Sequence, residues 1–63
     1  MKYNLSYRWD TIGQPLITQA FSTIEDAESA KSKLGMHLYN ANISTSPIDA
    51  APAVGEKVYT YNN

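Results

Sequence analysis

Phe21-Ser22-Thr23-Ile24-Glu25-Asp26-Ala27-Glu28-Ser29-Ala30-Lys31-Ser32-Lys33-Leu34-Gly35 reads as a helix with both of its ends written into it. Ser22 followed three residues later by Glu25 makes a capping box, in which each side chain satisfies a free backbone N–H of the first turn. Thr23 with Asp26 at its third position is the neighbouring alternative. Glu25, Asp26 and Glu28 crowd the start and Lys31 and Lys33 the end, each sign matching its end of the helix dipole. Gly35 supplies the left-handed residue that stops the helix, and Met36 beyond it is expected to pack back on Ala30. Ile24, Ala27, Ala30 and Leu34 fall within an arc of about 120°, the width of a core-facing stripe. Two of these are alanines, so the helix can approach a sheet closely while contributing little apolar area. Lys31, at the edge of the arc, is expected to run its stem over the core and leave its ammonium in water.

Working outward, residues 2–10 alternate strictly. Tyr3, Leu5, Tyr7 and Trp9 face one way, and Lys2, Asn4, Ser6, Arg8 and Asp10 the other, which predicts a strand whose aromatics supply the core the helix lacks. Thr11-Ile12-Gly13-Gln14-Pro15 is a turn leading to a second strand at 16–21, antiparallel to the first. After the helix, at about 23–34, residues 38–46 form a third strand, with Tyr39, Ala41, Ile43 and Thr45 opposite Leu38, Asn40, Asn42 and Ser44. Residues 47–56, with two prolines and a glycine, form a loop, and 57–61 a short edge strand. The expected fold is α+β: one small ββαβ(β) domain of 63 residues, with a three- to four-stranded, mostly antiparallel sheet and the helix on one face. A right-handed crossover through the helix makes strands two and three parallel and leaves the first strand between them, antiparallel to both. The face away from the helix is then wet or covered by a partner.

Composition narrows the chemistry. A chain this short buries only about 60% of the surface its unfolded form exposes, so its stability is modest. Five basic and six acidic residues leave a net charge of −1, too balanced to draw in nucleic acid or an anionic membrane, and too little acid for a DNA mimic. The chain has no cysteine, which removes disulfides, thiolate nucleophiles and zinc–thiolate sites together. The N-terminus never forms a signal-peptide core, and no apolar run approaches the roughly 20 residues that span a bilayer. The expectation is a cytoplasmic protein.

Catalytic constellations are missing in the same way. His37 is the one histidine and has no acidic neighbour at ligand spacing, so it reads as an imidazole at a helix end rather than a metal ligand. Many serines are present, but only one histidine could activate one, and no Gly-x-Ser-x-Gly turn is present. Gly13, Gly35 and Gly55 are too far apart to cradle a phosphate. Glu25 is taken by the capping box, and Asp26 points away from Glu28. The expectation is no enzyme, no cofactor and no metal.

What remains is surface. Tyr59 and Tyr61 alternate with Val58 and Thr60, so one set faces outward or meets a partner, and tyrosine suits interfaces because it joins a broad apolar ring to a polar tip. With Lys57 they make the first expected contact surface. The polar face of the sheet, with Asn4 and Arg8 on the first strand and Asn40 and Asn42 on the third, is the second. A sheet bearing five tyrosines and a tryptophan also suggests a platform for single-stranded bases, but Lys2, Arg8 and Lys57 are the only cations on strands, and Tyr3, Tyr7 and Trp9 share a face with Leu5.

The pattern strand, Phe21-Ser22-x-x-Glu25-x-Ala27-x-x-Ala30-x-x-x-Leu34, strand resembles the β–α–β part of peptidoglycan-binding SPOR domains. It also resembles small phage proteins that inhibit host machinery with a three-stranded sheet and one helix. The resemblance spans residues 16–45 and rests on capping and amphipathic spacing, so it carries no functional residue across. The expected function is a non-enzymatic protein-binding module, in specific form a phage or mobile-element product that inhibits or modulates a host protein. The alternatives are a single-stranded nucleic-acid binder using the tyrosines and a structural piece that assembles with itself through its edge strands.

Overall fold

The structure, a computed structural model, describes residues 1–9, 13–35 and 38–61, and of residues 38–40 the backbone alone. Asp10, the Thr11–Ile12 half of the expected turn, the Met36 contact, His37 and the side chain of Asn40 lie outside the described residues. The elements follow in the order β1 (Lys2–Trp9), β2 (Leu16–Phe21), α1 (Ile24–Leu34), β3 (Leu38–Ser46) and β4 (Lys57–Thr60). One sheet holds all four strands in the order β3-β1-β2-β4, every neighbouring pair antiparallel. β1 is therefore central, as its aromatic content foretold, and β2 and β3 run the same way on either side of it. The fold is the expected α+β domain, with β4 as a fourth strand on the edge beside β2.

The register explains where the core forms. Leu5 lies opposite Gln19 on β2 and Ile43 on β3, and Tyr7 opposite Ile17. Leu5, Tyr7 and Ile17 are buried, with Trp9, Phe21, Ala30, Leu34, Ala41 and Ile43 packed around them. Tyr7 and Trp9, two apart on one face, meet edge to face with ring centroids 5.8 Å apart, the geometry the ring quadrupoles favour. Ala27 is fully buried where α1 crosses the sheet, its small methyl side chain allowing the close approach. The helix packs on β1, β2 and β3. Ile24, expected in the core stripe, is only half-buried and lies to the β3 side.

Two expectations need correcting. The helix is capped by Thr23, not Ser22: Thr23 has extended dihedrals (φ −130°, ψ 155°) and its Oγ1 accepts from the Asp26 amide at 3.1 Å. β2 keeps pairing through Phe21, which faces Tyr3, so the chain turns over Ser22 and reaches the cap one residue later than the sequence pattern suggested. Asp26, not Glu25, then occupies the third helical position. Thr23→Ala should lower stability by about 0.5–2 kcal/mol, whereas Ser22→Ala should stay within about 0.5 kcal/mol. Urea midpoints of the two variants measure the difference, and equal losses would sink the assignment. At the far end Gly35 does terminate the helix, at φ 75°, a value L side chains rarely adopt.

The second correction concerns Lys2, expected on the wet face and found fully buried. β3 and β4 are the two outer strands, so the chain between them must cross the whole sheet. It does so at the end where β1 begins, over the face away from the helix. Lys2 Nζ donates to the Pro52 carbonyl, the Gly55 amide donates to the Ala20 carbonyl at 2.8 Å, and Val54 bridges Ala20. The connection is an ordered strap, and it leaves Ala20 with no exposed surface. The alternation of β3 is also interrupted, because the register slips between Ser6↔Asn42 and Arg8↔Tyr39 and an extra β3 residue is accommodated there.

Candidate functional site

β4 pairs with β2 along one side, Leu16↔Thr60 through Gln19↔Lys57, and among the described residues no strand pairs with its other side. Every residue of the strand is exposed. Tyr59 lies opposite Ile17 and therefore on the helix side of the sheet, but α1 sits over the other three strands and leaves it 51% exposed. Tyr61, just past the strand, is 69% exposed. Val58 lies opposite Thr18 on the other face, and Val54 and Ile48 on the strap are exposed as well. A free row of backbone N–H and C=O groups thus runs between tyrosine on one face and valine on the other. Lys57 opens the strand, and Gly55 just before it is anchored through the Gln19 Nε2 donor at 3.3 Å from its carbonyl.

The polar face divides in two. Toward the start of β1, Asn4 is buried and its Nδ2 donates to Ser46 Oγ at 2.8 Å, while Ser6 and Thr18, directly opposite each other, share a hydroxyl hydrogen bond of 3.1 Å. These bonds tie β1 to both neighbours, so Asn4 works inside the sheet. Asn4 Oδ1 and Arg8 Nε are buried without a hydrogen-bond partner among the described residues. Farther along, Asn42 and Ser44 on β3 are exposed. Of the seven residues expected to make contact, Asn40 has its side chain outside the described residues and the other six are dispersed. Tyr59, Tyr61 and Lys57 share one edge, Asn42 lies toward the opposite edge, Arg8 is half-buried on the central strand, and Asn4 is enclosed.

On the helix side, an open groove of about 670 Å³ runs between α1 and β3, lined by Ile24, Glu28, Lys31, Ser32, Gly35 and Ile43. Ile24, Glu28, Lys31 and Gly35 recur at helical spacing along one stripe, next to the core-facing stripe of buried Ala27 and partly buried Ala30 and Leu34. Lys31 does flank the apolar arc as its position foretold. Among the described residues no three His, Cys, Asp or Glu side chains gather in a way that would hold a metal ion. Among the described residues no helix is long and apolar enough to cross a membrane.

Sequence reasoning singled out Tyr59 and Tyr61 but not the aliphatic half of the patch, Val54 and Val58. A single helix of three turns covers about three strands, which leaves a fourth bare on the helix side; the exposure of Val58 on the other face depends instead on the path of the strap. Comparison of the chain with protein-family models, with curated proteins and with solved structures finds no match.

Proposed function

We propose that this chain is a non-enzymatic protein-binding module that engages its partner by strand addition at β4. The observation that supports it most directly is the exposure of Tyr59, Tyr61 and Val58 around an unpaired strand edge. An added strand would satisfy the free backbone groups of β4, while Tyr59 and Val58 would supply side-chain contacts on its two faces. The strap fixes where β4 starts, through Gly55 on Ala20, so the edge is held ready before a partner arrives and less ordering entropy is lost on binding. A module of this kind would inhibit or modulate whatever protein it engages.

The tyrosine platform for single-stranded bases has less to support it. Tyr7 is buried and Trp9 packs on the core, and Lys2 is enclosed beneath the strap, so rings and charges that such a surface needs are spent elsewhere.

Ending the chain after Gly55 removes β4 and the turn hydrogen bond from the Glu56 amide to the Ala53 carbonyl, and leaves the Lys2–Pro52 and Gly55–Ala20 contacts of the strap in place. The shortened protein should keep its circular dichroism spectrum and lose binding to a partner captured by the full chain. A Tyr59→Ala, Tyr61→Ala double variant should weaken that binding by about 2–4 kcal/mol, roughly 30- to 1,000-fold in Kd. Full-strength binding by the shortened chain would place the contact elsewhere. Steep weakening with salt would favour nucleic acid instead.

A further inference from the structure

We propose that the outer edge of β2 is a second strand-accepting site, with β4 as its displaceable cover and an extended segment of another molecule, patterned like β4, as its ligand. This site is separate from the outer edge of β4 and does not depend on how that edge is used.

β2 has none of the devices that protect a sheet edge. Leu16-Ile17-Thr18-Gln19-Ala20-Phe21 contains no charged residue, no proline and no glycine. Uncharged edges of this kind recruit other strands unless something covers them. β4 is that cover: four residues, opening on Lys57, each paired with β2 and each exposed. It adds nothing to the core, whose members all lie between Leu5 and Ile43. β2 is held without its help, through five pairs with β1 and through buried Ile17. Lifting β4 therefore breaks one short, solvent-exposed ladder and leaves the core intact, the kind of opening that costs least in a folded chain. The hinge falls between Glu56 and Lys57. The Gly55 and Glu56 amides are held by the Ala20 and Ala53 carbonyls at 2.8 and 2.9 Å, whereas from Lys57 onward the pairing is with β2 alone. The strap stays seated while β4 swings away.

β4 itself shows what the site accepts. An incoming strand runs antiparallel to β2 and sets a β-branched residue opposite Thr18, an aromatic one opposite Ile17 and a basic one opposite Gln19, as Val58, Tyr59 and Lys57 do. Aromatic and β-branched pairs are among those that stabilise neighbouring strands, so the pattern adds selectivity to the backbone pairing. β4 begins two residues past its anchor and competes at the millimolar effective concentration of a short tether. A partner strand must exceed that or pair more strongly, which keeps the site closed to ordinary extended peptides.

The test uses the full chain and a peptide of residues 55–61. In the unmodified chain the β4 amides bonded to β2 should exchange with deuterium at least about tenfold faster than the Gly55 amide and those in the middle of β1. The chain has no cysteine, so one introduced thiol reports on one position. Directly opposite antiparallel residues have Cα atoms about 4.5–5.5 Å apart, within the range a disulfide bridges. Under mild oxidation the Thr18→Cys chain should couple to the peptide carrying Val58→Cys at least about tenfold faster than to a scrambled peptide with its cysteine at the same position. β4 amides that exchange only together with those of β1 would mean that the cover does not lift, and would overturn the proposal. Equal coupling of the two peptides would overturn it as well. A stronger preference for the matched peptide in a Val58→Cys chain than in the Thr18→Cys chain would put the peptide outside β4 rather than in its place, with the same consequence.

Discussion

Replacing Leu5 with alanine should cost about 2–5 kcal/mol. Leu5 is fully buried on the central strand, with β2 on one side, β3 on the other and the helix above. Few large side chains share its burden, because the helix contributes Ala27 and Ala30 where a larger domain would bring leucine or phenylalanine. Alanines cannot swing into a vacated site, so most of the cavity should persist and its cost should sit toward the upper part of the range. At roughly 0.05–0.15 kcal/mol per residue, a chain of this length has about 3–9 kcal/mol of stability in all. Leu5→Ala should thus unfold a visible fraction of molecules at 37 °C, measured by the urea midpoint and near-ultraviolet dichroism. Leu5→Ile keeps the volume and suits a strand, and should cost less than about 1.5 kcal/mol. An alanine variant melting at the wild-type temperature would mean that the aromatic face of β1 is not the core.

The parts of this fold that follow a short period were legible before any coordinates. Alternation placed Leu5, Tyr7 and Trp9 on the face that meets the helix, and helical spacing placed Ala27, Ala30 and Leu34 opposite them. Antiparallel pairing of both neighbours with β1 follows once the helix is taken as a crossover between β2 and β3. Short-range patterns decided less well where two local solutions compete. Ser22 and Thr23 both fit a cap, and the choice between them depends on how far β2 continues to pair, which is a property of Tyr3 on another strand. The burial of Lys2 was beyond such reasoning altogether. It depends on a contact with Pro52, fifty positions away, made because β3 and β4 occupy opposite edges. The same holds for the candidate site: tyrosines at 59 and 61 signal an interface by type, but the exposure of Tyr59 follows from the reach of the helix, and that of Val58 from the path of the strap over the other face.

Lys2 is the residue whose replacement should most clearly separate stem from charge. Its side chain is enclosed between the sheet and the strap, and its ammonium donates to the Pro52 carbonyl. Burying an ammonium opposes folding, and the charge-assisted hydrogen bond offsets part of that cost. The methylene stem contributes in the other direction, at about 0.8 kcal/mol for each buried CH₂. Lys2→Ala removes three methylenes and also leaves the Pro52 carbonyl unpaired, so the loss should be about 2–4 kcal/mol. Lys2→Met keeps nearly the whole stem and gives up only the charged end, and should lose about 2 kcal/mol less than the alanine variant. The strap itself supplies a second readout. The Gly55 amide, held by Ala20 at 2.8 Å, should exchange with solvent deuterium markedly faster in Lys2→Ala, while amides in the middle of β1 change only as global stability changes. Equal losses in the two variants would assign the effect to the charge rather than the stem. Unaltered Gly55 exchange in both would show that the strap is held by Val54 and Gly55 against Ala20 without help from Lys2.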